Sequence, residues 1–76
     1  METIKIHIEK KGRRGKTVTV LDGFTHDRQY LEILTSQLKK SCGTGGTLKD
    51  LTIEIQGDFR SRIREFLFNE GFQIKE

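Results

Sequence analysis

The sequence predicts an α+β fold: a two-layer sandwich with two helices on one face of a mixed, mostly antiparallel sheet of about five strands, in the order ββαββαβ. Three observations carry that expectation. Apolar residues alternate with period two in three separate runs, at residues 3–9, 16–21 and 51–56. They recur with helical spacing in two others, residues 27–40 and 59–68. Glycine-containing breaks separate these runs, and 76 residues suffice for one domain spanning 1–76.

The first strand is predicted over Thr3–Glu9, where Ile4, Ile6 and Ile8 alternate with polar residues; residues 1–2 are expected to fray. Val18 and Val20 alternate with Thr17 and Thr19 in a second strand over Lys16–Leu21, which Asp22-Gly23 ends. The segment between them, residues 10–16, contains glycine, so the pair predicts a hairpin with a cationic loop. Leu31, Leu34 and Leu38, widened by Tyr30 and Ile33, form the stripe of an amphipathic helix over 27–40. Thr25 or Asp27 is its expected N-cap, and Lys39 and Lys40 occupy the last turn, where cations suit the helix dipole. The run Ser41 to Gly46 is expected to break that helix. A short strand over Thr47–Lys49, a turn at Lys49-Asp50 and a strand over Leu51–Gln56 follow. Gly57-Asp58 switches the chain into the second helix, with Asp58 as its expected N-cap and Phe59, Ile63, Phe66 and Leu67 as its stripe. Gly71 suits a left-handed helix stop, and Phe72–Lys75 returns as an edge strand.

Composition excludes several classes. No run approaches the roughly 18 apolar residues of a membrane span, and the N-terminus lacks the apolar core of a secretory signal. A lone Cys42 forms no internal disulfide, which favours a reducing, cytoplasmic setting. The net charge is +3, but its distribution says more than its size. Lys10, Lys11, Arg13, Arg14 and Lys16 fall together with no acid among them. With those five set aside, nine basic residues stand against 11 acids, so the rest of the chain is about −2. A local cationic focus fits a specific polyanion, and nucleic-acid phosphate is the leading candidate over a merely solubilising tip.

The search for reaction chemistry yields no catalytic residue. Residues 42–47, Cys-Gly-Thr-Gly-Gly-Thr, resemble a phosphate loop only superficially. They follow a helix and enter a strand, the reverse of the P-loop context, and no dinucleotide glycine pattern is completed at Leu48. Gly43, Gly45 and Gly46 therefore read as a backbone reversal. In Gln56-Gly57-Asp58 the glycine reads as a tight turn and the aspartate as a cap. His7, His26 and Cys42 match no metal-ligand spacing, so neither metal nor cofactor is expected. Phe68 lies roughly 140° from Ile63 around the second helix, outside the apolar stripe, and is expected at the surface.

Three runs also carry a resemblance when taken in order. GRRGKTVTVLDGF, LEILTSQLKKSCGTGGT and TIEIQGDFRSRIREFL followed by EGF are similar to the eukaryotic translation initiation factor 1 (SUI-type) family, especially its short bacterial members. The likeness covers the chain from about residue 9 onward. It implies a non-catalytic factor that binds the small ribosomal subunit near the P site and modulates start-codon and initiator-tRNA selection. By the same resemblance, Lys10, Lys11, Arg13, Arg14 and Lys16 lie against ribosomal RNA. Lys39 and Lys40 belong to the ribosome-facing surface, and the Lys49-Asp50 turn corresponds to the side facing initiator tRNA. The implied partners are thus ribosomal RNA of the small subunit, with initiator tRNA and mRNA beside it, for a monomer with no membrane contact. A general RNA binder or stress-linked modulator of translation is the alternative. A protein-interaction module anchored on Phe68 is the second.

Overall fold

The structure, a computed structural model, describes residues 3–12 and 15–75. The expected fraying of residues 1–2, and Arg13 and Arg14 of the predicted cationic loop, lie outside the described residues. Seven elements follow in order: β1 (Thr3–Lys11), β2 (Lys16–Asp22), α1 (Arg28–Cys42), β3 (Gly46–Lys49), β4 (Thr52–Gln56), α2 (Arg60–Asn69) and β5 (Gln73–Lys75). The predicted ββαββαβ order is the observed one. The sheet order is β3-β4-β2-β1-β5, antiparallel throughout except for β5, which runs parallel to β1. That parallel pairing requires a crossover, and α2 supplies it between β4 and β5.

One core fills the space between the sheet and the helices. Ile4 and Ile6 from β1, Leu21 from β2, and Ile53 and Ile55 from β4 meet Leu31, Leu34 and Leu38 of α1 and Ile63 and Leu67 of α2. Each such Leu or Ile, fully buried, contributes about 1.5–3 kcal/mol of transfer free energy. Phe24 and Phe72 close the β5 end of this core, with their rings edge to face at 5.6 Å. The molecule measures 36 × 23 × 20 Å, and β1 alone spans roughly 30 Å at about 3.3 Å per residue. The hairpin therefore lies along the long dimension, and its last residues project beyond the core.

Several expectations are corrected in detail. The alternation of Val18 and Val20 points them toward the core by sequence, yet the register gives that face to Thr19 and Leu21, opposite Ile55 and Ile53. Val18 and Val20 lie on the open face and are still buried, because β2 is flanked on both sides. His7 and Glu54 stand beside Val20, and Glu9 and Gln56 beside Val18. Ile33 does not widen the α1 stripe; it is exposed, and Thr35 is buried instead, its hydroxyl donating to Leu31 O at 2.7 Å. Leu51 is likewise not a strand residue. Lys49 pairs with Thr52, so Asp50 and Leu51 form the turn, with Asp50 left-handed at φ 55° and Leu51 exposed.

The helix ends differ from expectation too. Asp27, rather than Thr25, caps α1, its carboxylate accepting from Tyr30 N at 2.8 Å. Ser41 and Cys42 belong to α1, which Gly43 ends at φ 65°. Thr44 N donates to Lys39 O and Gly43 N to Lys40 O, the paired bonds of a Schellman stop. α2 ends the same way, with Phe72 N on Leu67 O and Gly71 N on Phe68 O, and Gly71 at φ 93° as predicted. Asp58 is not the α2 N-cap. Phe59 holds that position without a side-chain cap bond, while Asp58 pairs with the Arg60 guanidinium at 3.0 Å.

Candidate nucleic-acid interface

The hairpin loop is shorter than the sequence suggests. Lys11 pairs with Lys16, so the strands extend as far as these two lysines, with Gly15 N donating to Gly12 O just beyond them. Lys10, Lys11 and Lys16 are strand residues, which fixes their directions. Strand alternation puts Lys10 on the side of Ile8 and Ile6, and Lys11 and Lys16 on the open face. These three lysines are thus shared between both faces of a two-stranded ribbon.

These lysines differ in what they touch. Lys11 Nζ reaches across β2 to Glu54 Oε2 at 2.5 Å and lies 3.7 Å from Glu9 Oε1. His7 Nε2 and Glu9 Oε2 are 2.8 Å apart. This lattice covers Val18 and Val20 and raises the Lys11 ammonium above the usual lysine range, chiefly through the Glu54 hydrogen bond. The His7 hydrogen bond, with Lys11 nearby, lowers Glu9 below the usual carboxylate range.

The root of the hairpin is braced by the two glycine motifs. Gly57 N donates to Thr17 O at 2.8 Å, tying the β4–α2 junction to β2. Beside it, the fully buried Thr19 hydroxyl donates to Gly57 O at 2.6 Å and accepts from Phe59 N at 3.0 Å. Gly57 sits at φ 96°, where an added Cβ would come within 2.6 Å of the Phe59 ring. Gln56 N donates to Gly45 O at 2.9 Å, so the Gly45-Gly46 reversal lies against the same junction. A Cβ on Gly46 would meet Ile55 Cδ1 at 2.7 Å, Glu54 O at 2.8 Å and the Lys39 stem at 3.1 Å. Glycine there lets α1's carboxyl end lie close on the sheet.

That contact brings the second predicted cluster to the same end of the molecule. Lys39 and Lys40 are exposed in the last turn of α1, with the Lys39 stem over Gly46. Arg62 of α2 reaches the same turn, its Nη1 donating to Ser41 O at 2.7 Å. The Arg60 guanidinium holds Asp58 below the usual carboxylate range. Lys49 and Asp50 are not part of this grouping. β4 runs from their turn at Thr52 to Gln56 at the hairpin root, so they occupy the opposite end of the sheet.

Sequence reasoning missed Thr19, Glu54 and Arg62. Thr19 reads as the polar phase of its strand, Glu54 as a solvated carboxylate, and Arg62 as one of three similar arginines. Only the register and the packing of α2 against α1 distinguish them. Burial pushes the Cys42 thiol up, the reverse of what a reactive thiolate needs. Among the described residues, no three His, Cys, Asp or Glu side chains group as a metal site, and no helix is long and apolar enough to cross a membrane.

A two-helix sandwich with a cationic ribbon rooted on GTGG and QGD motifs defines a class of protein. The chain belongs to the translation initiation factor SUI1 family, whose model matches residues 1–73. That is a family of translation factors, not of enzymes, and it bears out the resemblance carried by the motifs. Among particular proteins, the chain is similar to the protein translation factor SUI1 homolog of Sulfolobus acidocaldarius. The two are 45% identical over 69 residues, covering 91% of this chain and 69% of that protein. It is 44% identical to the homolog from Methanocaldococcus jannaschii over 71 residues, 93% and 68% of the two chains. It is also 40% identical to the uncharacterized protein YciH of Escherichia coli over 72 residues, 95% and 67% of the two.

Proposed function

We propose that the protein binds the small ribosomal subunit near the P site, laying its cationic hairpin on ribosomal RNA, and modulates start-codon and initiator-tRNA selection. One observation carries this reading: a basic ribbon projects beyond the core while two glycine motifs brace its root against the folded body. A rigid mount of that kind lets a few cations hold phosphates at fixed spacing. Phosphate contacts position a protein without reading sequence, so selectivity comes from the shape of the RNA.

In this reading Lys10, Lys16, Arg13 and Arg14 carry most of the contact, because Lys11 is already engaged by Glu54 and Glu9. Lys39 and Lys40 extend the same surface. The separation of Lys49 and Asp50 supports two distinct contacts, with ribosomal RNA at one end and initiator tRNA, beside mRNA, at the other. The protein acts as a cytoplasmic monomer and makes no covalent step. Its folded body occupies or monitors the P-site region.

Cosedimentation with isolated small subunits, large subunits and free RNA tests the proposal. Binding to small subunits is expected to be preferred, with log K falling against log salt at a slope of roughly −3 for about four phosphates. Equal binding to all three would leave a general RNA binder. A flat salt dependence would favour a protein-interaction module, for which Phe68, 72% exposed, is the supporting observation.

A further inference from the structure

The three arginines of α2 occupy different flanks. Counting about 100° per residue from the buried Ile63, Arg60 and Arg64 fall on one side of the helix and Arg62 on the other. Arg62's flank faces α1, as its bond to Ser41 O shows. Arg60 is ion-paired with Asp58, whereas Arg62 enters none of the ion pairs among the described residues. Its anchor is a neutral carbonyl in the last turn of a helix, where the dipole itself favours a cation.

That anchor fixes a position as well as satisfying an acceptor. Ser41 immediately follows Lys39 and Lys40, so the guanidinium is held against the turn that presents those two ammonium groups. A guanidinium is a rigid fork of N–H donors, and Ser41 O engages one nitrogen of it. Glu65, which lines the same shallow depression with Ser41 and Asn69, is the nearby carboxylate. Binding a phosphate here would cost less side-chain entropy than recruiting a free arginine.

We propose that Arg62 is a phosphate-contacting residue, the α2 member of a cationic cluster completed by Lys39 and Lys40. The cationic surface then runs from the hairpin across the end of α1 onto α2. The ribosomal source of the phosphate rests on the function proposed above; the phosphate contact itself does not.

The test is the salt dependence of full-length protein binding to isolated small subunits and, separately, to free RNA. Arg62→Gln is expected to weaken binding and make the slope shallower by roughly 0.7–0.9, the loss of one phosphate contact. Arg62→Lys is expected to restore the slope, because the charge returns without the fork. Glu65→Gln, a surface change that leaves the Ser41 contact in place, is expected to strengthen binding. If Arg62→Gln lowers the unfolding temperature but leaves the slope unchanged, and Glu65→Gln has no effect, Arg62 is only a helix cap. The two proposals fail separately. Wild-type protein that shows no preference for small subunits defeats the ribosomal reading. An Arg62→Gln slope change on free RNA would still uphold the phosphate contact.

Discussion

Lys11 and Glu54 form an internal brake on the hairpin's charge. The lysine belongs to the cationic run by sequence, yet its ammonium lies against a carboxylate two strands away. The pair is solvent-exposed on the lysine side, so its contribution to stability is small. In the proposed contact its effect on affinity is larger, because an RNA phosphate would have to compete with Glu54 for that ammonium. Glu54→Gln removes the competitor. It is expected to steepen the salt slope of RNA binding by roughly one contact, 0.7–0.9, and to tighten binding at low salt. Lys11→Gln is expected to change the slope less than Lys16→Gln. Unchanged or weaker binding by Glu54→Gln, read by titration at several salt concentrations, would show that Lys11 is not held in reserve. Sequence could not reveal this pairing, since residues 11 and 54 meet only through the β1–β2–β4 register. Thr19 illustrates the same blindness. A threonine in an apparently polar phase is the buried staple of the Gln56-Gly57-Asp58 turn.

At the scale of elements, most of the architecture was legible, and the exceptions share a cause. The period-two runs identified β1 and β4, and the leucine stripe identified α1, because each has one face in water; β2 showed the same period without a face in water. The inward phase of β2 was misread because that strand is central, with neighbours on both sides, so both of its faces are covered and alternation carries no direction. Asp58 was misread as a cap because its carboxylate is taken by Arg60, while Thr19 receives the Phe59 N–H from another strand. The glycines divide along similar lines. Gly43 needs only its left-handed φ, with nothing within 4 Å of an added Cβ, so Gly43→Ala is expected to cost about 1–2 kcal/mol. Gly57→Ala adds a clash with the Phe59 ring to a more strained φ, and roughly 2–4 kcal/mol is expected. Urea unfolding of the two variants measures the difference; equal losses would contradict the Phe59 contact.

The molecule as a whole is closed by its last strand. β5 has three residues, but it pairs with the start of β1, and the preceding Phe72 is buried against Phe24. A chain ending at Gly71 loses both. Removing a buried phenylalanine alone costs about 3–5 kcal/mol, a large share of the roughly 5–15 kcal/mol that stabilises a small domain. That truncation is therefore expected to abolish cooperative unfolding by circular dichroism, while hairpin substitutions leave it intact. The resemblance that pointed to translation was legible because the loops carrying it are fixed by backbone demands. In GTGG and QGD, Gly43 and Gly57 take left-handed φ and Gly46 has no room for a Cβ.

The parallel pairing of Thr3 with Gln73 has a practical side as well. It draws the beginning and the end of the described chain to neighbouring positions on one rim of the sheet, the rim farthest from the hairpin. The domain therefore behaves like a plug whose first lead, ahead of Thr3, leaves from the back. Cargo spliced ahead of Thr3, whether a fluorophore, an affinity handle or another folded module, trails away from the prongs, whereas β5, parallel to β1, aims whatever follows Lys75 along the sheet edge toward them. A label on that first side is expected to leave the proposed RNA contact as it is in the bare protein, and one on the other side to crowd it.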